Sequence, residues 1–510
     1  MLGLIPQPRE CDVRPGVVVW TGLVGVVAPD EWRDAIDTWC VESSIEGCAV
    51  TITSTVDAPR LTIRRDSSLP SGGYRLVTDD VSEIMASDAS GALHALATLR
   101  QLGPLEWWRG GDVNGGRIEI SKVQIADWPE FGWRGAHLDV ARHFFPVDVV
   151  ENFIDLIAAH KLNSLHLHLN DDQGWRVELP QWPRLTEVGA WRRASPIGLE
   201  RDGVDDGTPH GGFYRADDIA RLVGHATRRG VRLIPEIDLP GHAQAVLASY
   251  PDLGNGGGPV EVWTHWGISR EVLAPSTEAL EFAASVVRAV ADMFPGSPVH
   301  IGGDECPTDQ WELSDDARAV MVEHGFTEVR ELQGLFTRRL TEELTVAGRD
   351  VVAWDEVLDA DSPTSVIVAA WRSVDKGREA AIRGHRVVMA PMPFTYFDWR
   401  QSDDPLEPLA MAFPLAMSTW EKVYGFTVVP DGLDDEAASR ILGAQAQHWT
   451  EYIATSEHLE YMAFPRLAAF AEVVWGTAGT VEQFRPRLET HVARLRANGV
   501  NFRPLDGPAS

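Results

Sequence analysis

Val299-His300-Ile301-Gly302-Gly303-Asp304-Glu305 is the stretch on which the interpretation of this chain depends. A short apolar run typical of a buried strand ends in two glycines and two adjacent carboxylates. Neighbouring side chains of a regular strand point to opposite faces, so Asp304 and Glu305 can reach one site only if the backbone leaves strand geometry just after Gly303. On its own, such a stretch favours a strand end followed by a solvated acidic turn.

Length and composition narrow the class of protein. The chain has 510 residues, of which 44% are hydrophobic and 24% charged, as expected for a globular protein of two or three domains. A formal net charge of -30 argues against a surface that binds nucleic acid or an anionic membrane. No apolar run approaches the length of a membrane span. The 19 tryptophans are unusual, and such side chains supply flat apolar walls for ligands such as sugar rings.

The first residues and the cysteines bear on location. Residues 1–15 lack a basic start followed by an apolar core, so we expect a cytoplasmic protein, although removal of a signal would leave secretion possible. Four cysteines in so long a chain form no disulfide framework and show no metal-ligand spacing: Cys11, Cys40, Cys48 and Cys306. Cys306 directly follows the acidic pair, and we expect it to pack as a compact buried thiol.

Residues 1–127 predict a small α+β domain. Short strand candidates, separated by proline, glycine, aspartate and serine, lie at 17–20, 49–52, 60–63 and 74–77. Helices are predicted near 31–42 and 89–102. This region contains no pattern that indicates chemistry, so we interpret it as an accessory domain.

Residues 128–510 instead alternate strand and helix. Eight strand candidates lie at 136–140, 164–169, 231–234, 299–301, 351–354, 365–371, 386–390 and 443–449. Helical periodicity lies between them, at 150–158, 217–229, 278–294 and 328–346. Eight alternating units predict an α/β fold, a (β/α)8 TIM barrel. The competing fold is a doubly wound open sheet, but no Gly-x-Gly-x-x-Gly loop follows the first strand.

Polar and aromatic side chains follow the predicted strands at their carboxyl ends, where barrel enzymes place the active site. They are Asp139 and Arg142-His143, Asn170 to Trp175, Glu236 to Asp238, His242, Asp304-Glu305, Trp354 to Glu356, Trp371, Tyr396 to Asp398, and Trp449 to Glu451. This pattern suits a pocket that holds a hydroxyl-rich ligand by hydrogen bonds and stacks its apolar face on tryptophan.

Four motifs in this order resemble the family 20 glycoside hydrolases, the β-N-acetylhexosaminidases. They are 132–143, 166–175, 235–242 and 300–305. The resemblance runs from about 104 to 475, and the preceding region is similar to the non-catalytic α+β domain of that family. It implies an exo-acting hydrolase of terminal β-linked GlcNAc or GalNAc, with a carbohydrate as its partner and neither metal nor cofactor.

The resemblance also explains the adjacent carboxylates. Ordinary glycosidases place two carboxyl groups on either side of the scissile bond, roughly 5 to 9.5 Å apart, which suits neighbouring residues poorly. This family instead uses the substrate's own 2-acetamido oxygen as nucleophile, through an oxazoline, with retention. Glu305 would then be the general acid and base, and Asp304 would orient the acetamido group and stabilise developing charge.

Nine further residues are implied to bind substrate or to position the catalytic pair: Arg134, Asp171, His242, Trp354, Trp371, Tyr396, Asp398, Trp449 and Glu451. The arginine is expected to bind sugar hydroxyls at the pocket floor, because its planar fork suits paired acceptors. Asp171 and His242 would position and tune the catalytic pair. The three tryptophans would wall the acetamido pocket, and Tyr396 would donate to the acetamido oxygen. Asp398 would bind the acetamido region, and Glu451 would bind ring hydroxyls.

Other functions stay open on the sequence. The alternation of His166 and His168 suggests a metal-dependent amidohydrolase, but such a site requires histidines at later strand ends, where tryptophans stand instead. Glu236 or Glu356 could act as a conventional nucleophile opposite Glu305. A catalytically silent sugar-binding homologue is the non-enzymatic alternative. Substrate preference, linkage and oligomeric state are not encoded in any recognisable pattern.

Overall fold

The computed structural model describes residues 2–44, 50–54, 59–109, 116–256, 258–360, 362–411 and 417–508. Cys48 and the first residue of the strand predicted at 49–52 lie outside these ranges. None of the helices in the described ranges is both long and apolar enough to cross a membrane.

The amino-terminal part of the chain folds into a mixed sheet, with both parallel and antiparallel strand pairs. Its strands are β1 (Glu10–Val27), β2 (Val50–Thr53), β3 (Pro59–Arg65), β4 (Tyr74–Val77), β5 (Ser82–Ala86) and β6 (Arg117–Asp127). The spatial order is β2-β1-β3-β5-β4-β6, with β1 also paired to β6. Helices α1 (Arg33–Ser43), α2 (Ala89–Leu102) and α3 (Glu106–Arg109) accompany it. The predicted α+β domain is therefore confirmed, with β5 and β6 as additional strands.

Eight parallel strands close into a barrel, which confirms the predicted fold. The remaining strands of the chain are β7 (Trp133–Asp139), β8 (Ser164–His168), β9 (Asn170–Asp171), β10 (Gly174–Trp175), β11 (Trp191–Arg192), β12 (His210–Gly211), β13 (Arg232–Glu236), β14 (Val299–His300), β15 (Val351–Trp354), β16 (Ile367–Ala370), β17 (Val387–Met389) and β18 (Ile441–Ala446). The barrel consists of β7, β8 and β13 to β18, and the two short pairs β9-β10 and β11-β12 lie outside it.

Helices pack around the barrel. They are α4 (Val147–Ala159), α5 (Arg184–Glu187), α6 (Ala216–Arg228), α7 (Gln244–Ser249), α8 (Thr277–Met293), α9 (Asp309–Leu313), α10 (Asp315–His324), α11 (Gln333–Val346), α12 (Val374–Ile382), α13 (Met392–Thr395), α14 (Trp420–Tyr424), α15 (Asp435–Ala438), α16 (Ser456–Ala463), α17 (Arg466–Trp475) and α18 (Val481–Ala497). Short 3-10 turns occur at Asp30–Trp32, Glu200–Asp202, Pro251–Leu253, Val329–Leu332 and Asp355–Asp359.

The helix boundaries follow ordinary capping chemistry. Ser276 accepts a hydrogen bond from the Ala279 amide and so begins α8. Helix α6 ends before Gly230, which has φ of +69° and is the left-handed residue predicted there. The apolar stripe of α4 packs on the barrel through Val150, Phe153, Ile154 and Ile157.

A buried ion pair fixes the sheet to the barrel. Asp127, the last residue of β6, accepts hydrogen bonds from Lys161 Nζ at 3.0 Å, Tyr74 Oη at 2.9 Å and Trp475 Nε1 at 2.8 Å. The Lys161 and Asp127 side chains are fully buried, and the ammonium also lies 4.5 Å from the centre of the Trp475 ring. The accessory sheet therefore meets the amino-terminal end of the barrel, away from the carboxyl ends of the strands.

Asp127→Asn should lower the free energy of unfolding by ~3–5 kcal/mol, because it leaves a buried ammonium without its counter-charge. Chemical denaturation measures this. As a control, Asp350→Asn removes the exposed partner of Arg386 and should change stability by no more than about 1 kcal/mol. Equal effects of the two substitutions would show that the Lys161–Asp127 pair does not hold the sheet to the barrel.

Candidate active site

The backbone after β14 turns sharply. The strand ends at His300, and φ is +63° at Gly302, +95° at Gly303 and +48° at Glu305. Left-handed backbone is rare for a residue with a Cβ, so Glu305 is held in a strained conformation. The turn brings both carboxylates toward one atom: His242 Nε2 lies 4.0 Å from Asp304 Oδ2 and 3.9 Å from Glu305 Oε2.

Gly302 is required because a second acid packs against it. A Cβ at this position would lie 1.9 Å from Asp238 Oδ1. That oxygen accepts the Gly303 amide at 2.8 Å, which fixes the turn. Gln333 Nε2 donates to the Gly303 carbonyl at 2.5 Å from the other side. The glycine thus permits an approach between backbone and carboxyl group that any other residue would block.

Asp238 and Asp304 face each other as a carboxyl pair. Burial raises the pKa of Asp238 to about 7. Burial and the facing Asp238 charge raise the pKa of Asp304 well above its usual value. One oxygen of each carboxyl group lies within 4.8 Å of the other, so the two buried groups oppose each other's ionisation. Glu305 differs in exposure: its side chain is 37% accessible, against 11% for Asp304.

His242 and Asp171 lie behind the catalytic candidates, as predicted from the motifs. His242 Nδ1 is 3.1 Å from Asp171 Oδ1, and its Nε2 has no hydrogen-bond partner among the described residues. Burial lowers the pKa of His242, but the carboxylates of Asp171, Asp172 and Asp238 together outweigh burial, and the pKa lies well above the usual value. A cationic imidazole N–H therefore points at the space between Asp304 and Glu305.

Arg142 is the arginine of this site. Its guanidinium donates to Asp139 Oδ2 at 3.0 Å, lies 2.7 Å from Asp171 Oδ2 and 3.8 Å from Glu451 Oε1, and is 5.0 Å from the Trp449 ring centre. Burial opposes its charge, but three carboxylates around it raise its pKa well above the ordinary value. Its side chain is 7% accessible and adjoins Trp449 and Glu451, both of them predicted substrate contacts.

Arg134 was predicted at the pocket floor, and the structure places it elsewhere. It is the second residue of β7, so about 16 Å of strand separates it from the carboxyl end at Asp139. Its guanidinium donates to the Lys161 and Phe131 carbonyls and lies 3.2 Å from His94 of α2. Arg134 therefore packs between barrel and accessory sheet. The sequence analysis assigned the sugar-binding role to Arg134, although it had placed Arg142 at the carboxyl end of the same strand.

Aromatic side chains wall the pocket. The centres of the Trp354 and Trp449 rings lie 6.0 Å apart, and Trp371 stacks with Tyr396 at 6.3 Å. All four were predicted for this pocket. Trp399, which was not, lies 6.2 Å from Tyr396. The indole N–H of Trp354 donates to Glu236 at 2.8 Å, so this wall is fixed by a buried carboxylate.

Asp398 and Glu451 lie at the polar edge of the pocket. Asp398 is 5% exposed, and its Oδ1 has no hydrogen-bond partner in the described part of the chain. Burial, followed by the Glu451 charge, raises the pKa of Asp398 well above its usual value. Burial also raises the pKa of Glu451, against the opposing charge of Arg142. Unpaired buried acceptors beside tryptophan rings suit the hydroxyl and amide donors of a sugar.

A cavity of about 250 Å³ adjoins Glu305 and is lined by Arg330, Gln333, Glu356 and Arg372, among others. Cys306 also borders it; burial raises the pKa of its thiol, which disfavours the reactive thiolate. Glu356 is held by the Trp371 indole N–H, at 3.0 and 3.2 Å from its two oxygens.

Among the described residues, four groups of side chains could hold a metal ion, because the ligand atoms inside each group lie within 4.8 Å of one another. They are His137-His166-Glu236, His168-Glu236-Asp238, Asp171-Asp172-His242 and Asp238-His242-Asp304. In the group His168-Glu236-Asp238, both His168 nitrogens contact carboxylates and both Glu236 oxygens accept hydrogen bonds. The other groups keep atoms without a hydrogen-bond partner among the described residues, such as His242 Nε2 and Asp304 Oδ1.

Gly302→Ala should destabilise the chain more than Gly325→Ala. Both glycines have left-handed φ, which costs a residue with a Cβ roughly 1–2 kcal/mol, but a Cβ at Gly325 has no atom within 4 Å. The difference between the two unfolding free energies, measured in denaturant, isolates the clash with Asp238. If the two variants were equally stable, the close approach would not constrain the turn.

Comparison with known proteins agrees with this geometry. The family model "Glycosyl hydrolase family 20, catalytic domain" matches residues 131–478, and "Glycosyl hydrolase family 20, domain 2" matches residues 1–128. A beta-hexosaminidase of Porphyromonas gingivalis is 36% identical over 86% of this chain and 55% of its own length. A beta-N-acetylhexosaminidase of Cellulomonas fimi is 34% identical over 81% of this chain and 76% of its own.

Solved structures extend the comparison. A GH20 exo beta-N-acetylglucosaminidase from Vibrio harveyi, in complex with N-acetylglucosamine, superposes with a TM-score of 0.88 at 31% identity, over 99% of this chain and 78% of that one. A GH20 beta-N-acetylhexosaminidase from Streptomyces coelicolor gives 0.85 at 27% identity, over 100% and 99%. The chain spans about half the length of the Porphyromonas relative but most of the others. It belongs to glycosyl hydrolase family 20.

Proposed function

We propose that the chain is an exo-acting β-N-acetylhexosaminidase, which removes terminal β-linked GlcNAc or GalNAc with retention through an oxazoline. The observation that carries this is the convergence of two adjacent residues, Asp304 and Glu305, on one histidine nitrogen. Carboxylates of neighbouring residues that converge in this way are poorly placed to act as acid and nucleophile on opposite faces of the anomeric carbon. We therefore assign the role of nucleophile to the 2-acetamido oxygen of the substrate.

The two carboxylates divide the work according to exposure. Glu305 adjoins the open cavity, where a leaving group would lie, so it protonates the glycosidic oxygen and later deprotonates water. Asp304 is buried against Asp238 and faces the acetamido group. An acetamide N–H at Asp304, and the positive charge that develops on the oxazoline ring, favour its ionised form.

The remaining pocket residues supply binding. Arg142, the unpaired Oδ1 of Asp398 and the carboxylate of Glu451 present donors and acceptors for ring hydroxyls. The Trp354, Trp371 and Trp449 rings offer apolar faces for the sugar and the acetamido methyl group. Tyr396 is mostly buried beside them, and we assign its hydroxyl to the acetamido oxygen. The names of the related enzymes, two hexosaminidases and an N-acetylglucosaminidase, support this substrate class.

The alternative mechanisms have less support. Glu236 is completely buried, and its oxygens are occupied by Trp354 and His168, so it is not available as a nucleophile. Glu356 is held by Trp371. The His-x-His pair that suggested a metal-dependent amidohydrolase is only partly available to a metal, because both His168 nitrogens contact the carboxylates of Glu236 and Asp171.

A substrate comparison tests the proposal. The purified protein should hydrolyse 4-nitrophenyl β-GlcNAc, and act on the β-glucoside at least ~10³-fold more slowly, because an intramolecular nucleophile is worth effective molarities of ~10⁵ M or more. Similar rates on both would contradict substrate assistance. No hydrolysis of either would favour a sugar-binding homologue. The β-GalNAc substrate, measured alongside, defines the preference between the two hexosamines.

Glu305→Gln should lower kcat on N,N′-diacetylchitobiose by ~10²–10⁴-fold, the usual contribution of a general acid. On 4-nitrophenyl β-GlcNAc, the rate at which the oxazoline intermediate forms should fall much less, because the phenolate departs with little acid assistance. Single-turnover and steady-state rates on both substrates measure this. Equal losses would remove Glu305 from the role of acid.

Arg142→Lys should lower kcat/KM roughly 10- to 100-fold, since hydrogen bonds to a charged group are worth ~1.5–3 kcal/mol and lysine cannot reproduce the planar fork. Arg134→Lys serves as the matched control: its kinetics should stay near those of the unaltered chain, while its thermal unfolding temperature falls. The reverse result would place the sugar-binding arginine at Arg134.

A further inference from the structure

Glu236 ends β13 directly beneath the pocket and is completely buried. Four ring nitrogens surround its carboxylate. Oε1 accepts from Trp354 Nε1 at 2.8 Å and lies 3.0 Å from His300 Nδ1. Oε2 contacts His168 Nδ1 and lies 3.0 Å from His166 Nε2. No step of the proposed reaction uses this carboxylate.

One arm from Glu236 leads to the acid. His168 joins Glu236 through Nδ1 and Asp171 through Nε2, the latter at 3.0 Å. Asp171 then contacts His242 Nδ1 at 3.1 Å, and His242 Nε2 lies 3.9 Å from Glu305. The sequence of groups is therefore carboxylate, imidazole, carboxylate, imidazole and catalytic carboxyl group.

The second arm leads to the acetamido wall. The Trp354 indole N–H has Glu236 as its acceptor, and the ring lies 4.6 Å from that of His300 and 6.0 Å from that of Trp449. With its N–H fixed at one end, the indole keeps a single orientation toward the pocket. One buried carboxylate thus contacts groups that lead to both halves of the site.

We propose that Glu236 is a positioning residue for both halves of the site. Through His168 it orients Asp171 and His242, which lie next to the general acid, and through Trp354 it orients the acetamido wall. This rests on the proposed function, since it assigns the acid to Glu305 and the acetamido group to the tryptophan wall. Glu236 touches no reacting atom; it acts through the two side chains that it holds.

Charges around Glu236 support an ionised, fixed carboxylate. Burial raises its pKa, but the imidazoles of His168, His300 and His166 outweigh burial and bring the pKa well below its usual value. His168 in turn has a pKa raised to about 10, despite burial, by Glu236, Asp171 and Asp139. Other charged or titratable groups near the network are His137 of β7, Asp238, and Arg142 on Asp171.

Simple packing does not account for this arrangement. Barrel interiors are generally filled by layers of branched apolar side chains. Here the layer beneath the pocket contains His137, His166, His168, Glu236 and His300, all buried. A buried carboxylate carries a large desolvation cost, and its replacement by apolar residues is often neutral or stabilising. A carboxylate that only filled space would therefore be a poor choice for stability.

Glu236→Gln tests the acid arm, with Glu472→Gln as matched control. Glu472 is equally buried, but it binds Arg487, Tyr424 and the Gln7 amide instead of pocket groups. We expect Glu236→Gln to lower kcat on N,N′-diacetylchitobiose at least ~10-fold more than it lowers the rate of intermediate formation on 4-nitrophenyl β-GlcNAc. Only the disaccharide needs full acid assistance, which is worth ~10²–10⁴-fold. Glu472→Gln should lower the unfolding temperature and leave this ratio unchanged.

Trp354→Phe tests the second arm, since it keeps an aromatic wall and removes the N–H that Glu236 holds. We expect KM and the inhibition constant for free GlcNAc to rise, with the ratio between leaving groups unchanged. Glu236→Gln should show this rise together with the change in ratio.

A properly folded Glu236→Gln with an unchanged ratio would overturn the proposal, as would a change in ratio without weaker GlcNAc binding. Should this variant not fold, His168→Gln takes its place, and an unchanged ratio there would overturn the acid arm. Failure of the proposed function is distinguishable, because the unaltered chain would then hydrolyse neither substrate.

Discussion

The close approach of Asp238 to the Gly302 backbone is the contact on which the rest of the site depends. A Cβ would lie 1.9 Å from the carboxyl oxygen, so glycine alone allows Asp238 to receive the Gly303 amide and hold the left-handed turn. The turn places Asp304 and Glu305 around His242 instead of on opposite faces of a strand. The two acids differ in exposure, and the proposed mechanism, in which the substrate supplies the nucleophile, rests on this placement.

The same region contains several buried charged groups, and protein side chains take the place of water around them. Asp171 contacts Arg142, His168 and His242, and Glu236 contacts imidazoles and an indole. Each partner offsets a desolvation cost that an unpaired buried charge would impose. Because these groups are bonded in fixed directions, they need little reorganisation when charge develops on the substrate, which is the condition for strong electrostatic catalysis. The accessory sheet, anchored by Lys161 and Asp127, stabilises the opposite end of the barrel and leaves this end open.

Much of this could be predicted from the sequence, for identifiable physical reasons. All eight barrel strands were predicted, because buried parallel strands are continuous apolar runs bounded by turn residues. The pocket followed because carboxyl ends of barrel strands meet. The role of the sugar-binding arginine was assigned wrongly to Arg134, which lies near the start of its strand. The argument from strand ends favours Arg142, which follows the carboxyl end. The closeness of Asp238 to Asp304, and the contacts of Glu236 with Trp354, could not be predicted. They depend on the turn after β14 and on inter-strand register, which no local pattern encodes.

The most direct test of substrate assistance is a series of 4-nitrophenyl β-GlcNAc substrates whose N-acetyl group carries zero, one, two or three fluorines. Each fluorine withdraws electrons and makes the acetamido oxygen progressively less nucleophilic. If that oxygen attacks the anomeric carbon, log kcat/KM falls steeply and steadily along the series. A flat series would contradict the account, because the nucleophile would then belong to the protein or to water.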